Sequence, residues 1–328
     1  MTARELDVAG ITGPVRTGYL VAGRLLEAKA KARGAAPVIR YLMPPHKRPY
    51  IELLFAFITY LDDIVDDPSH SVDVRLRRLG DLRAAFATAI DGDQPPISAN
   101  SSRDERVNTE LARSFVHLMR TWQLPLSEVG DFLDRQKNIL SQNSYPTHEA
   151  LEKEYLDAMW PPAKWANQVL EPNTAESDML CRNATTSFQL IDFLLDLRED
   201  MELDRLYLPL EHLIDFGLDR ESLERQLRRG PLSPQLRELI AFEAKRADDL
   251  LSSALDWPKT LHVTSRPFVE WDIAINRLKL AELRAGRLDD LIRRSVTSRP
   301  FKIKALSRTF FGIARALNAH RKLQLGVR

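Results

Sequence analysis

The chain has 328 residues, 44% of them hydrophobic, and its Lys plus Arg (47) nearly match its Asp plus Glu (46). That much apolar material supports a sizeable core and excludes wholesale disorder, while the balanced charge gives no reason to expect a nucleic-acid partner. The lone Cys181 excludes an internal disulfide, the seven histidines show no zinc-like spacing, and no apolar run follows the acidic start Met1 to Asp7, so a cytoplasmic protein is expected.

Taken in chain order, helical periodicity recurs almost throughout, as in Leu79, Leu82, Phe86 and Ile90, and alternating β-type runs are nearly absent. The breaks fall at Pro44-Pro45-His46, Pro68-Ser69, Asp91 to Ser102 with Gly92 and Pro95-Pro96, Asn143 to Pro146, Pro172, Pro209 and Gly230-Pro231. They delimit roughly ten helices, and none is long enough to be an interdomain linker. The expectation is an all-α protein, one domain over residues 1–328 arranged as a helical bundle around a central cavity, with a basic helix from about residue 291.

The first distinctive element is a helix from about Arg48 to Asp67 that closes on Asp62-Asp63-Ile64-Val65-Asp66-Asp67. Its spacing stacks Asp62 over Asp66 with Asp63 beside them. Leu53 to Ile58 makes the helix apolar nearly all round, which argues for burial and for a cation to relieve the clustered carboxylates.

The second, Phe188 to Asp200, repeats this pattern. Asp192, Asp196 and Asp200 stand at i, i+4 and i+8 on one helix face, the positions between Asp192 and Leu197 are otherwise apolar, and no lysine stands at the offsets that an internal salt bridge needs. Two such helices suggest facing carboxylates sharing hard divalent ions, with magnesium the natural choice. Magnesium completes its shell with water and phosphate oxygens, so a phosphate-bearing ligand is expected, and the lack of a glycine-rich loop argues against a nucleotide. Arg205 and Tyr207 follow directly, a fixed cation and a phenol placed to grip a diphosphate.

The last element is the tail. Residues 291–328 contain no Asp or Glu but nine or more basic side chains, among them Lys302, Lys304, Arg308 and Arg315, interleaved with Phe301, Phe310, Phe311 and Ile313. A solvated basic helix is the plainer reading, and peripheral membrane contact is the alternative.

These segments together resemble the squalene/phytoene synthase family. The residues carrying the likeness are Leu42-Met43-Pro44-Pro45 with Arg48-Pro49, Phe55-Ala56-Phe57 leading to Asp62-Asp63-Ile64-Val65-Asp66, and Gln189-Leu190 through Asp196, Glu199-Asp200 and Arg205-Leu206-Tyr207-Leu208-Pro209. The resemblance implies a class I isoprenoid (terpene) synthase fold, with Asp62, Asp63, Asp66, Asp196 and Asp200 as the magnesium set and a prenyl diphosphate as substrate; Asp192, where the family usually has asparagine, joins the set by its i, i+4, i+8 spacing. Arg205 and Tyr207 become the catalytic diphosphate contacts. Phe55, Tyr60, Trp160, Trp165, Phe188 and Gln189 become the substrate-binding residues, the aromatic ones offering ring faces to a carbocation.

The chain also departs from the family pattern. Ala35-Ala36-Pro37 stands where Ser or Thr with an aromatic is usual, Thr59 and Leu195 stand where arginines are usual, and Trp160-Pro161-Pro162-Ala163-Lys164-Trp165 fills a stretch of small residues. Lost cations and added bulk disfavour two prenyl chains in one site. The leading expectation is therefore a class I diterpene synthase acting on one C20 diphosphate, geranylgeranyl or copalyl. Head-to-head condensation, as in a phytoene or squalene synthase, is the alternative, and a non-catalytic helical subunit the second alternative.

Overall fold

The computed structural model describes residues 1–33, 38–92, 97–98, 100–229, 231–285, 288–294 and 297–324. The departure at Ala35-Ala36-Pro37 falls outside them. The described residues are helical with no strand, as expected. They form two compact units that alternate along the chain: Met1–Ser141, Lys164–Glu171 and Ala319–Arg328 in the first, Gln142–Ala163 and Pro172–Asn318 in the second.

The first unit is built on α1 (Ala3–Val8), α2 (Arg16–Arg33), α3 (Ile39–Leu42), α4 (Arg48–Val65), α5 (Val72–Ile90), α6 (Arg103–Thr121) and α7 (Ser127–Ser141). Side-chain caps start several of them. Ser102 and Glu105 close a capping box on α6, and Thr2 and Glu5 close another on α1, each satisfying two amides that the first turn leaves open. Glycine lets α2 approach α6, for a Cβ at Gly18 would lie 2.1 Å from the Glu110 carbonyl oxygen. The core is aromatic: Phe57 of α4 packs on Phe115 (4.5 Å between ring centroids) and Phe86 (5.4 Å), and Trp165 meets Phe115 and Phe132 edge-on.

The second unit contains α8 (His148–Leu151), a π-helical turn (Glu152–Leu156), the first half of α9 (Asp157–Val169), α10 (Ser177–Leu195), α11 (Leu197–Glu202), α12 (Leu210–Asp215), α13 (Arg220–Arg228), α14 (Pro234–Ser253), α15 (Arg266–Arg284), α16 (Leu288–Arg294) and most of α17 (Arg299–Gln324). Helix α10 lies along α14, where the Ser187 hydroxyl donates to the Ala247 carbonyl at 2.6 Å, and α14 in turn packs on α15. A buried polar network ties α12 to α14, with Glu243 accepting from His212 and pairing with Arg246 at 2.8 Å. Satisfying every member is what makes such a network tolerable in a low-dielectric interior.

The short helices explain why fewer elements were expected than are found: segments of four to seven residues such as Ile39–Leu42 and Leu197–Glu202 are too brief to show a period. Paired prolines inside a helix, as at Pro161 and Pro162, are expected to break it. The paired prolines do not end it, and α9 continues to Val169. The π turn before it and the buried residues after it outweigh the two lost donors.

Candidate active site

The first acidic segment closes α4. The helix is apolar on most of its surface and buries Leu53, Leu54, Phe57, Leu61 and Ile64. It ends at Val65, two residues earlier than expected, because Pro68 cannot extend it and disfavours helical geometry at Asp67. The Asp66 amide still donates to the Asp62 carbonyl at 2.7 Å, which keeps the two carboxylates one turn apart. Arg75 reaches back to the Val65 carbonyl at 2.7 Å and satisfies this end.

The acidic face itself is wet. Asp62 and Asp63 are exposed and Asp66 half-buried, which corrects the expectation of buried carboxylates: the last turn of α4 buries Ile64 and Val65 and turns its acidic side outward. Asp63 is ion-paired with Lys29 of α2, a partner that no spacing within α4 could reveal. Tyr60 is buried, donates to Asn108 Oδ1 at 2.8 Å, and burial raises its phenol above the ordinary range. Phe55, 39% exposed, is on the open side of the same helix.

The second acidic segment is not one straight helix. Helix α10 stops at Leu195, Asp196 leaves helical geometry (φ −96°, ψ 5°), and α11 resumes at Leu197. The amide-to-carbonyl bonds from Asp196 to Asp192 and from Asp200 to Asp196, each 2.8 Å, survive the bend. A straight helix would align three like charges, and the chain gives at the middle one. Asp196 is exposed, while Asp192 and Asp200 are half-buried.

Lys279 of α15 donates to Asp192 Oδ1 at 2.7 Å. Asp272, two turns earlier on α15, has its carboxyl pushed up to about 6 by burial, opposed by Lys279 and reinforced by Asp192. Neither residue was singled out from sequence, since each reaches the acidic segment only through the packing of α15 on α10.

Beyond α11, Asp204 adopts a left-handed backbone (φ 61°) held by Arg220 on its carbonyl and Asn143 on its carboxylate, both at 3.0 Å. That turn sets the course of Arg205 and Tyr207. The Arg205 amide donates to the Asp200 carbonyl at 2.8 Å, and the Leu206 amide to Asn143 at 2.8 Å. Tyr207 stacks on Phe193 of α10 with ring centroids 4.2 Å apart, and Tyr155 of the π turn closes on both rings, at 4.9 and 5.4 Å. Tyr145 completes the aromatic group, and burial raises its phenol well above the usual value. Sequence reading missed Tyr145, because a tyrosine in a Pro-terminated loop carries no periodic signal.

The remaining expected substrate contacts divide. Phe188 and Gln189 are half-buried on α10, and Trp160 is half-buried with the Arg182 guanidinium 5.9 Å over its ring. Trp165 is wholly buried, donates through Nε1 to Glu128 Oε2 at 2.8 Å, and has the surroundings of a core residue of the first unit.

Among the described residues no three His, Cys, Asp or Glu side chains converge into a closed metal cage. The donors that each acidic segment offers are all carboxylate oxygens, exposed or half-buried. That suits a hard cation taking one or two protein oxygens and finishing its shell with water and phosphate, and it suits neither zinc nor a soft metal.

Solved structures share this fold. Squalene synthase HpnC from Alicyclobacillus acidocaldarius matches with a TM-score of 0.66 at 19% identity, covering 88% of this chain and 98% of that one. A dehydrosqualene synthase in complex with ligand matches at 0.71 and 17%, covering 90% and 96%. Among curated proteins, hydroxysqualene synthase of Zymomonas mobilis is 24% identical over 247 residues, 74% of this chain and 76% of its own. The bifunctional protein CrtB/UppS of Streptomyces coelicolor is 24% identical over 242 residues, 69% of this chain, and the match spans only 37% of that longer protein. The family model described as squalene/phytoene synthase matches residues 31–302, a span that contains both acidic segments and the Arg205-Tyr207 turn. On that match the chain belongs to the squalene/phytoene synthase family of enzymes.

Proposed function

We propose that this chain joins two allylic prenyl diphosphates head to head, as a magnesium-dependent prenyltransferase. The observation that carries this is the family match over residues 31–302 with both carboxylate sets intact. The relatives and structural neighbours named as squalene, dehydrosqualene and hydroxysqualene synthases support it. They favour condensation over the one-substrate diterpene synthase expected first from sequence.

In this reading Asp62, Asp63 and Asp66, with Asp192, Asp196 and Asp200, hold magnesium and through it the diphosphate. Magnesium supplies positive charge against the diphosphate as the C1–O bond breaks and both electrons leave with the oxygen. Arg205 adds a bidentate grip on phosphate oxygens, and Tyr207 a phenol donor. Lys279 and Lys29 are paired with Asp192 and Asp63, and in this reading they would be further cations for the phosphate oxygens. The stacked rings of Phe193 and Tyr207, with Tyr155 edge-on to both, offer π faces to the allylic cation and keep water from it, until a double bond of the second substrate captures it and the new cation loses a proton.

One observation favours the second reading, a class I diterpene synthase. Trp160, braced by Arg182 and followed by two prolines, occupies a stretch where small residues would leave room for a second chain. A single assay separates them: purified protein with magnesium is given geranyl, farnesyl, geranylgeranyl and copalyl diphosphates separately, and the lipid products are analysed by mass spectrometry. Doubling of the carbon count supports condensation, an unchanged count supports the cyclase, and absence of diphosphate release from every substrate supports a non-catalytic subunit.

A further inference from the structure

Helix α17 presents a surface that the acidic segments do not use. Its inward side is fastened to α15, where Trp271 Nε1 donates to the Thr309 hydroxyl at 3.0 Å and Arg315 pairs with Glu270 at 2.6 Å, with Gly312 and Ala316 buried beneath. The outward side is apolar where water would be expected. Ile303, Leu306, Phe310 and Leu317 are 61, 59, 66 and 61% exposed. At about 100° per residue these four fall within roughly a sixth of a turn and form one strip along the helix.

Past the exposed ring of Phe311 comes a cationic strip of exposed Lys304 and Arg308; Arg315 falls between them and is paired with Glu270. The helix itself carries no carboxylate, for no Asp or Glu occurs after Asp290. Exposed apolar residues scattered singly are ordinary, but four aligned beside unneutralised cations are the pattern of a helix that rests in a lipid–water boundary. No described helix is long and apolar enough to cross a membrane, so the fit is to a surface rather than a span. A second copy of this chain is a poorer occupant. Pairing the apolar strips of two α17 helices would leave the exposed Lys304 and Arg308 without an anionic partner, which an anionic bilayer supplies.

We propose that the outward face of α17 docks on a bilayer containing anionic phospholipid, with Ile303, Leu306, Phe310 and Leu317 entering the acyl boundary and Lys304 and Arg308 on the lipid phosphates. The inference stands apart from the choice between condensation and cyclisation. It gives the enzyme a surface from which apolar product can pass directly into lipid.

The test is co-sedimentation of the full chain with vesicles of phosphatidylcholine alone and of phosphatidylcholine with phosphatidylglycerol, at low and high salt. Binding to the anionic vesicles, weakened by salt, is expected. Lys304→Glu with Arg308→Glu is expected to lower the affinity by on the order of tenfold or more. Ile303→Ser with Phe310→Ser is expected to lower it comparably even at low salt. All four positions are exposed, so circular dichroism should stay that of the parent chain. A parent chain that remains in the supernatant with anionic vesicles overturns the proposal, as do variants that sediment like the parent. Sedimentation velocity supplies a further arm: if the Ile303→Ser, Phe310→Ser variant turns a dimer into a monomer while vesicle binding is unchanged, the strip is a protein interface and the proposal fails.

Discussion

Lys279 and Asp192 form a 2.7 Å ion pair between α15 and α10, so a carboxylate expected to bind metal already carries a protein cation. An ammonium and a divalent ion compete for the same oxygens. The pair is partly exposed and contributes little to stability, of order 0–1 kcal/mol. Replacing Lys279 with Met should therefore leave thermal stability without metal nearly unchanged and strengthen magnesium binding in the absence of substrate by several-fold, read by calorimetric titration. Unaltered or weaker magnesium binding would separate Asp192 from the metal set.

Asp62→Ala and Asp196→Ala remove exposed carboxylates, one in the last turn of α4 and one at the bend between α10 and α11, where neither contributes to the core. Each should reduce diphosphate release by at least about a hundredfold, the scale of losing one preorganised electrostatic contact in a transition state. Helical content by circular dichroism should be retained. Full activity in either variant would refute the magnesium assignment.

The two tryptophans of α9 should behave oppositely. Trp165 is enclosed by Phe115 and Phe132 and bonded to Glu128, so Trp165→Ala should cost about 3–5 kcal/mol by cavity formation, measured by denaturant unfolding. Trp160 is half-buried, and Trp160→Ala should leave stability within about 1 kcal/mol while altering product distribution. An unchanged product profile would remove Trp160 from the reaction.

Glu5 supplies a pH dependence. Burial by itself would raise its carboxyl, but hydrogen bonds from Arg40 and Arg48 outweigh it and hold the group down at about 2, against an ordinary 4.5. The folded value is depressed, so the stabilisation is present above pH 4.5 and is lost as pH falls from 4.5 towards 2. Its size is about 3 kcal/mol at neutral pH. Glu5→Gln should lower stability by that order at pH 7 and much less near pH 2; an equal loss at both would show that the charge is not the cause.

Much of the protein was legible in the sequence because helices announce themselves locally. The 3.6-residue period fixed the all-α class, and the spacing of Asp62 with Asp66 and of Asp192 with Asp196 and Asp200 exposed two carboxylate sets that the backbone keeps in register. The prolines at Pro44-Pro45, Pro68 and Pro209 marked breaks, since none can donate the amide that a continuing helix needs, whereas Pro161-Pro162 are carried inside α9. Tertiary packing decided the rest. The ammonium groups of Lys29 and Lys279, the carboxyl of Asp272 and the ring of Tyr145 come to the acidic segments from elements remote in the chain, and burial of Trp165 against exposure of Asp62 depends on which side of a helix meets a neighbour. Local spacing specifies which side chains share a face; only the packed chain specifies what that face meets, because the desolvation and pairing that set its chemistry come from residues far away in sequence.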